Sequence, residues 1–147
     1  MKKKSGFTLL EVLVAAVIVI VLTAAGVTSY TNVSRKSRDA RRSSDFEQIR
    51  SALEMYRSDN GYYPNIAGGS WTNMSNLTGV LVPAYIQRIP ADPRDIINYY
   101  QYRATNQSGG NYYGYCLALR FESATGGNNC DTVSLPNENY NYGLRHP

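Results

Sequence analysis

The chain has 147 residues, with 15 Lys and Arg against 11 Asp and Glu, two Cys, one His and 13 Tyr. That length builds one domain with a modest core and excludes a second large one. Three of the positives are Lys2, Lys3 and Lys4; without them 12 basic residues face 11 acidic ones, so net charge does not point to nucleic acid or to a membrane surface.

The first element is the run Phe7–Val27, FTLLEVLVAAVIVIVLTAAGV, whose one charge is Glu11. As a helix it would span roughly 31 Å, about the hydrocarbon thickness of a bilayer. The three preceding lysines put its N-terminus in the cytoplasm and everything after about Thr28 on the far side. A secretory signal has the same basic start but an apolar stretch of only about 7–15 residues before a small-residue cleavage site. Ala24-Ala25-Gly26 offers such small residues, so a cleaved signal and a plain transmembrane anchor stand as alternatives.

Neither alternative accounts for Glu11. A carboxylate in an apolar span costs on the order of 2.5–3.5 kcal/mol and needs a partner, yet the span holds no Lys, Arg or His. Cleavage between Gly6 and Phe7 would create a cationic α-amino group at Phe7, four residues from Glu11, and the same amine on every neighbouring copy. Amine and carboxylate would then neutralise each other between adjacent subunits and set an axial register.

The stretch Lys2-Lys3-Lys4-Ser5-Gly6-Phe7-Thr8-Leu9-Leu10-Glu11-Val12-Leu13 resembles the N-terminal signature of type IV pilins and of the pseudopilins of type II secretion and competence systems. The resemblance implies that residues 1–6 are a leader removed after Gly6 by a membrane-embedded prepilin peptidase, which also N-methylates Phe7. It implies that Glu11 is the assembly carboxylate. It further implies a homopolymer joined by minor pilins and driven by an assembly platform and ATPase. The subunit would be a single-pass inner-membrane protein before assembly and part of an extracellular filament afterwards.

No proline precedes Pro64, so the helix is free to continue past the membrane boundary as an amphipathic segment, residues 28–59. Ser34 to Arg42 carries five basic residues and one acid, which reads as a solvated face at the far membrane interface. A DNA-contacting or subunit-contacting strip is the alternative. Phe46, Ile49, Leu53 and Tyr56 share one helical face and need a cover, and Arg50 and Glu54 are placed to pair. Asp59-Asn60-Gly61 ends the helix, and Gly26 is its weakest interior point.

Residues 60–147 form the headpiece. Pro64–Pro83 reads as an irregular connector with a helical turn near Met74–Val80, followed by strands at Asn98–Arg103, Asn111–Phe121 and Tyr140–Leu144. Gln107-Ser108-Gly109-Gly110-Asn111 turns the first two into a hairpin. Tyr113, Tyr115, Leu117, Leu119 and Phe121 alternate onto one apolar face, the natural cover for the helix. The expected fold is α+β, a long N-terminal helix on a small antiparallel sheet, and the pilin resemblance implies the same arrangement.

Cys116 and Cys130 are both on the exported side, where pairing would close a loop of about 15 residues; free thiols or a redox role are the alternatives. The resemblance adds that pilins often carry such a disulfide around a surface loop. His146 reads as part of a frayed terminus. Asn128, Asn129, Asp131 and Glu138 lack a calcium-ligand spacing, so no metal and no cofactor is expected. Tyrosine doublets such as Tyr62-Tyr63, Tyr99-Tyr100 and Tyr112-Tyr113 should put about half their rings outward for subunit packing, adhesion or base stacking; nucleic acid has no further support.

No catalytic spacing is present, so the chain reads as a structural subunit and not an enzyme. The main expectation is a pilin of a type IV pilus-like filament serving motility, adhesion or DNA uptake, with a mature chain of 141 residues and a formal charge of +1. The alternatives are a pseudopilin of a type II secretion or competence system, and a monomeric signal-anchored extracellular binding domain.

Overall fold

The computed structural model describes residues 6–94, 100–123, 127, 129–130, 135–136 and 140–146. Helix α1, Leu9–Asn60, runs 52 residues, about 78 Å. It starts two residues after Phe7 because Thr8 is an extended N-cap. It stops where Gly61 adopts a φ of 81° and donates its amide to the Arg57 carbonyl at 2.7 Å. The helix continues through Gly26 without a break.

The connector holds a short strand β1, Thr72–Asn73, a 3-10 turn at Met74–Leu77 and one turn of helix α2, Thr78–Leu81. The expected turn near Met74–Val80 is therefore present, whereas β1 is an addition. Asn73 accepts the Ser75 amide at 3.0 Å and so starts the 3-10 turn.

Strands β2, Gln101–Ser108, β3, Asn111–Leu119, and β4, Tyr142–His146, complete an antiparallel sheet in the order β1-β2-β3-β4. Gly109 and Gly110 both have positive φ, 59° and 87°, and make the two-residue hairpin turn that matches strand twist. With so tight a turn, β2 extends to Ser108, well past the expected Arg103; Asn98 and Tyr99 lie outside the described residues. The last strand sits two residues later than expected, and the His146 backbone pairs opposite Tyr115, so this residue is in the sheet and not in a frayed end.

Phe46, Ile49 and Leu53 are buried against Tyr115, Leu117 and Leu119, with Tyr56 partly buried beside them. This is the expected helix-on-sheet core. The other face of β3 is buried as well, at Tyr112, Gly114, Cys116 and Ala118, while Tyr113, near the hairpin tip, is exposed. The one-sided alternation fails because the outer face is covered as well: Cys116 is bonded to Cys130, the Thr105 and Asn106 side chains lie over Gly114, and the Tyr112 ring packs by Gly69.

The tyrosine doublets described in full divide as expected, with Tyr63 and Tyr112 buried while Tyr62 is half-buried and Tyr113 exposed. Tyr63, Tyr100, Tyr102, Tyr112, Tyr115 and Tyr140 are all buried. A buried phenol needs a hydrogen-bond partner. Tyr63 donates to Glu54 at 2.9 Å, Tyr100 to Asp45 at 2.8 Å and Tyr102 to the Pro64 carbonyl at 2.8 Å. Glu54 is thereby engaged with Tyr63, and the nearest ion-pair partner of Arg50 is Glu47, at 3.7 Å, instead of Glu54.

Candidate functional site

The molecule is built around a helix that is half naked and half clasped. At its free end the Thr8 amide and hydroxyl both donate to Glu11 Oε2 at 2.9 Å, and the Glu11 amide returns a bond to Thr8 Oγ1 at 3.2 Å. This reciprocal capping box satisfies two of the helix's orphan amides. It also puts the carboxylate in the first turn, where the helix dipole favours negative charge. Gly6 and Phe7 lie just ahead, with Phe7 almost fully exposed. The expected processing and assembly residues Gly6, Phe7 and Glu11 are thus contiguous and accessible.

Above them Leu9, Leu10, Val12, Leu13, Val17, Ile18, Ile20 and Leu22 all face outward. The helix is long and apolar enough to cross a membrane, and none of that stretch is buried within the chain. An apolar surface of this extent is stable only in lipid or against other helices.

The clasped half begins at Arg38. Arg42 is fully buried and binds three carboxylates: Asp92 through two bonds at 2.7 and 3.0 Å, Asp39 at 2.8 Å and Glu122 at 2.9 Å. Arg38 takes Glu122 through bonds of 2.7 and 2.6 Å, and Arg94 reaches it at 3.3 Å. Asp39 accepts the Glu122 and Ser123 amides at 2.9 Å each, together with the Ser123 hydroxyl. Three cations and three anions are collected, so the cluster balances.

The cluster ties the segment after β3 and the segment around Asp92 to one turn of α1. Hydrogen bonds from Arg38, assisted by Arg42, hold the Glu122 carboxyl at about 2, although its partial burial works the other way. Burial also opposes ionisation of Asp39, but the Ser123 hydroxyl and the backbone amides of Glu122 and Ser123 bring it below the usual range.

This corrects the reading of Ser34–Arg42 as a wholly solvated face. Sequence reasoning passes over the cluster because Arg and Asp are surface residues by default. The signal was present nevertheless: stepping back from Phe46 by helical spacing lands on Arg42, Asp39 and Arg38, the same face as the core.

Cys116 and Cys130 form a disulfide with Cα atoms 6.0 Å apart and both residues fully buried. Inside the loop that it closes, the Asn129 amide donates to the Gly143 carbonyl at 3.0 Å, so the looped segment adds to the free edge of β4. Asn128, Asp131 and Glu138, weighed for calcium, lie outside the described residues.

Comparison with known proteins bears on both halves. Residues 1–27 match the prokaryotic N-terminal methylation motif, and residues 29–133 match the model of type II secretion system protein G. The chain belongs to the type II secretion protein G family. It is 33% identical to the type II secretion system core protein G of Aeromonas hydrophila over 114 residues, covering 74% of this chain and 78% of that one. The core protein G of Pseudomonas aeruginosa is 32% identical, with 74% and 79% covered, and that of Escherichia coli 35% identical, with 62% and 67% covered. No solved structure matches the chain at comparable significance. Of the two assemblies the N-terminal motif leaves open, these relatives favour the secretion pseudopilin over the pilus. In protein G terms the exposed apolar helix and methylation motif fit a membrane-anchored precursor that goes on to form a filament.

Proposed function

We propose that this protein G family member is a structural pseudopilin of a type II secretion system and not an enzyme. It is inserted with its N-terminus in the cytoplasm, cut after Gly6 by prepilin peptidase, N-methylated on Phe7, and polymerised into a short filament. The observation that carries the proposal is the exposed apolar helix headed by Phe7 and Glu11 and joined to a clasped, disulfide-closed headpiece. Such a helix is a transmembrane anchor before assembly and a filament core after it.

In the filament the Phe7 amine of one subunit meets Glu11 of its neighbour, while the assembly platform and ATPase extract subunits from the bilayer. Because the head buries most of its described tyrosines, subunit packing rests mainly on the apolar helix. The test is the intact mass of the mature chain. Loss of residues 1–6 with one added methyl group supports the reading, and an uncut chain or cleavage after the apolar run sinks it. Loss of secretion, with motility unchanged, on deleting the gene separates pseudopilus from pilus.

A further inference from the structure

Between α1 and the membrane-facing underside of the headpiece lies a notch of about 340 Å³, lined by Asn32, Arg35, Lys36, Glu122 and Ser123. The acid in its wall is already saturated: Glu122 is held by Arg38, Arg42 and Arg94. Asp39, the one acid between Ser34 and Arg42, is buried within the same cluster. Arg35 and Lys36 are different. Both are exposed, and neither forms an ion pair among the described residues. The notch therefore presents two uncommitted cations and an amide.

Its height relative to the membrane is set by the chain itself. Tyr30, three-quarters exposed and three residues beyond Val27, stands where amphipathic aromatic rings mark the bilayer interface. Asn32 to Lys36 sit about 8–14 Å beyond Val27 along the axis, and the headgroup layer reaches roughly 5–8 Å past the hydrocarbon. Side chains on a helix lean toward its N-terminus, here toward the bilayer, and the long stems of Arg and Lys close the remaining gap.

We infer that this notch binds the phosphate of an anionic phospholipid headgroup in the outer leaflet of the inner membrane while the subunit awaits assembly. Arg35 forks onto the phosphate oxygens, Lys36 supplies a second charge, and the Asn32 amide donates beside them. The site seats the headpiece on the membrane in one orientation. It rests on the membrane-anchored state proposed above.

The test uses the full chain in nanodiscs of mixed phosphatidylglycerol and phosphatidylcholine, with retained lipids counted by native mass spectrometry. Two cations near an anionic surface, each worth about fivefold, predict a phosphatidylglycerol preference of about twenty-five-fold. The Arg35→Gln/Lys36→Gln variant should lose it. The charge-matched Arg41→Gln/Arg88→Gln variant, which alters exposed cations outside the notch, should keep it, as should Arg35→Lys in large part. Resistance of the disulfide to reductant confirms that each headpiece is folded.

Undiminished preference in the notch variant, or equal loss in the charge-matched variant, overturns the inference. So does displacement of the lipid by about 10 mM inorganic phosphate with the ionic strength held constant, so that screening is unchanged; that outcome would mark a site for the free anion. Failure of the chain to enter discs of phosphatidylcholine alone would instead overturn the anchored reading on which this one stands.

Discussion

Arg42 and Asp92 are 50 residues apart in sequence and meet through paired bonds of 2.7 and 3.0 Å, the guanidinium fully buried and the carboxylate nearly so. Removing one member of such a pair strands the other in a low-dielectric site. Arg42→Ala should destabilise the headpiece by about 3–5 kcal/mol, because Asp92, Asp39 and Glu122 all lose their shared cation. Chemical denaturation of the detergent-solubilised chain measures this. Arg41→Ala, one residue along the helix but exposed, should change stability by less than about 0.5 kcal/mol.

Acid should loosen the same clasp. The Glu122 carboxyl sits at about 2 in the folded chain against an ordinary value of 4.5. Its depressed pKa stabilises the folded state above the unfolded value, and that contribution is lost as pH falls through the folded value. The melting temperature should therefore fall between about pH 4.5 and pH 2, the more steeply because Asp39 shifts in the same direction. Glu122→Gln should be less stable at neutral pH and should flatten this acid limb; an unchanged limb would remove Glu122 from the account.

The disulfide makes a separate prediction. Cys116→Ser/Cys130→Ser should cost about 3 kcal/mol, the chain-entropy value for a loop of this size. It should also raise amide exchange at Asn129, whose bond to Gly143 depends on the loop being held. Reductant should reproduce the loss of stability once denaturant exposes the bond, and should change neither stability nor exchange in the folded chain, where both cysteines are fully buried.

At the other end of the molecule Glu11 caps its own helix, and the proposed assembly gives it a second duty, meeting a neighbour's amine. Glu11→Ala should leave cleavage after Gly6 and methylation of Phe7 intact but abolish filament formation, as read by intact mass and electron microscopy. Thr8→Ala removes the cap hydroxyl alone and should cost about 1 kcal/mol at the helix end, visible as faster amide exchange at Glu11, whose amide that hydroxyl accepts.

Gly114 tests how tightly the sheet is packed. A Cβ there would come within 2.8 Å of Thr105 Oγ1 and 2.9 Å of Asn106 Nδ2. Gly114→Ala should therefore destabilise by about 1–3 kcal/mol, measured by the same denaturation experiment.

The sequence by itself determined the parts whose physics is local. The apolar run from Phe7 needs about one bilayer's length of helix, Gly61 supplies the left-handed cap, Gly109-Gly110 makes the hairpin, and Phe46, Ile49 and Leu53 announce a buried face by spacing alone. The motif around Gly6, Phe7 and Glu11 was equally legible, since its residues are neighbours in the chain. Only the tertiary structure decided the fate of the charges and the tyrosines. Arg42 looks like a surface residue until Asp92 and Glu122, 50 and 80 residues away, are brought to it. Which tyrosines turn inward was likewise undecided until Glu54, Asp45 and the Pro64 carbonyl took the hydroxyls of Tyr63, Tyr100 and Tyr102. Whether a polar group can be buried depends on the partner it meets there, and that partner is fixed by the fold and not by its neighbours in sequence.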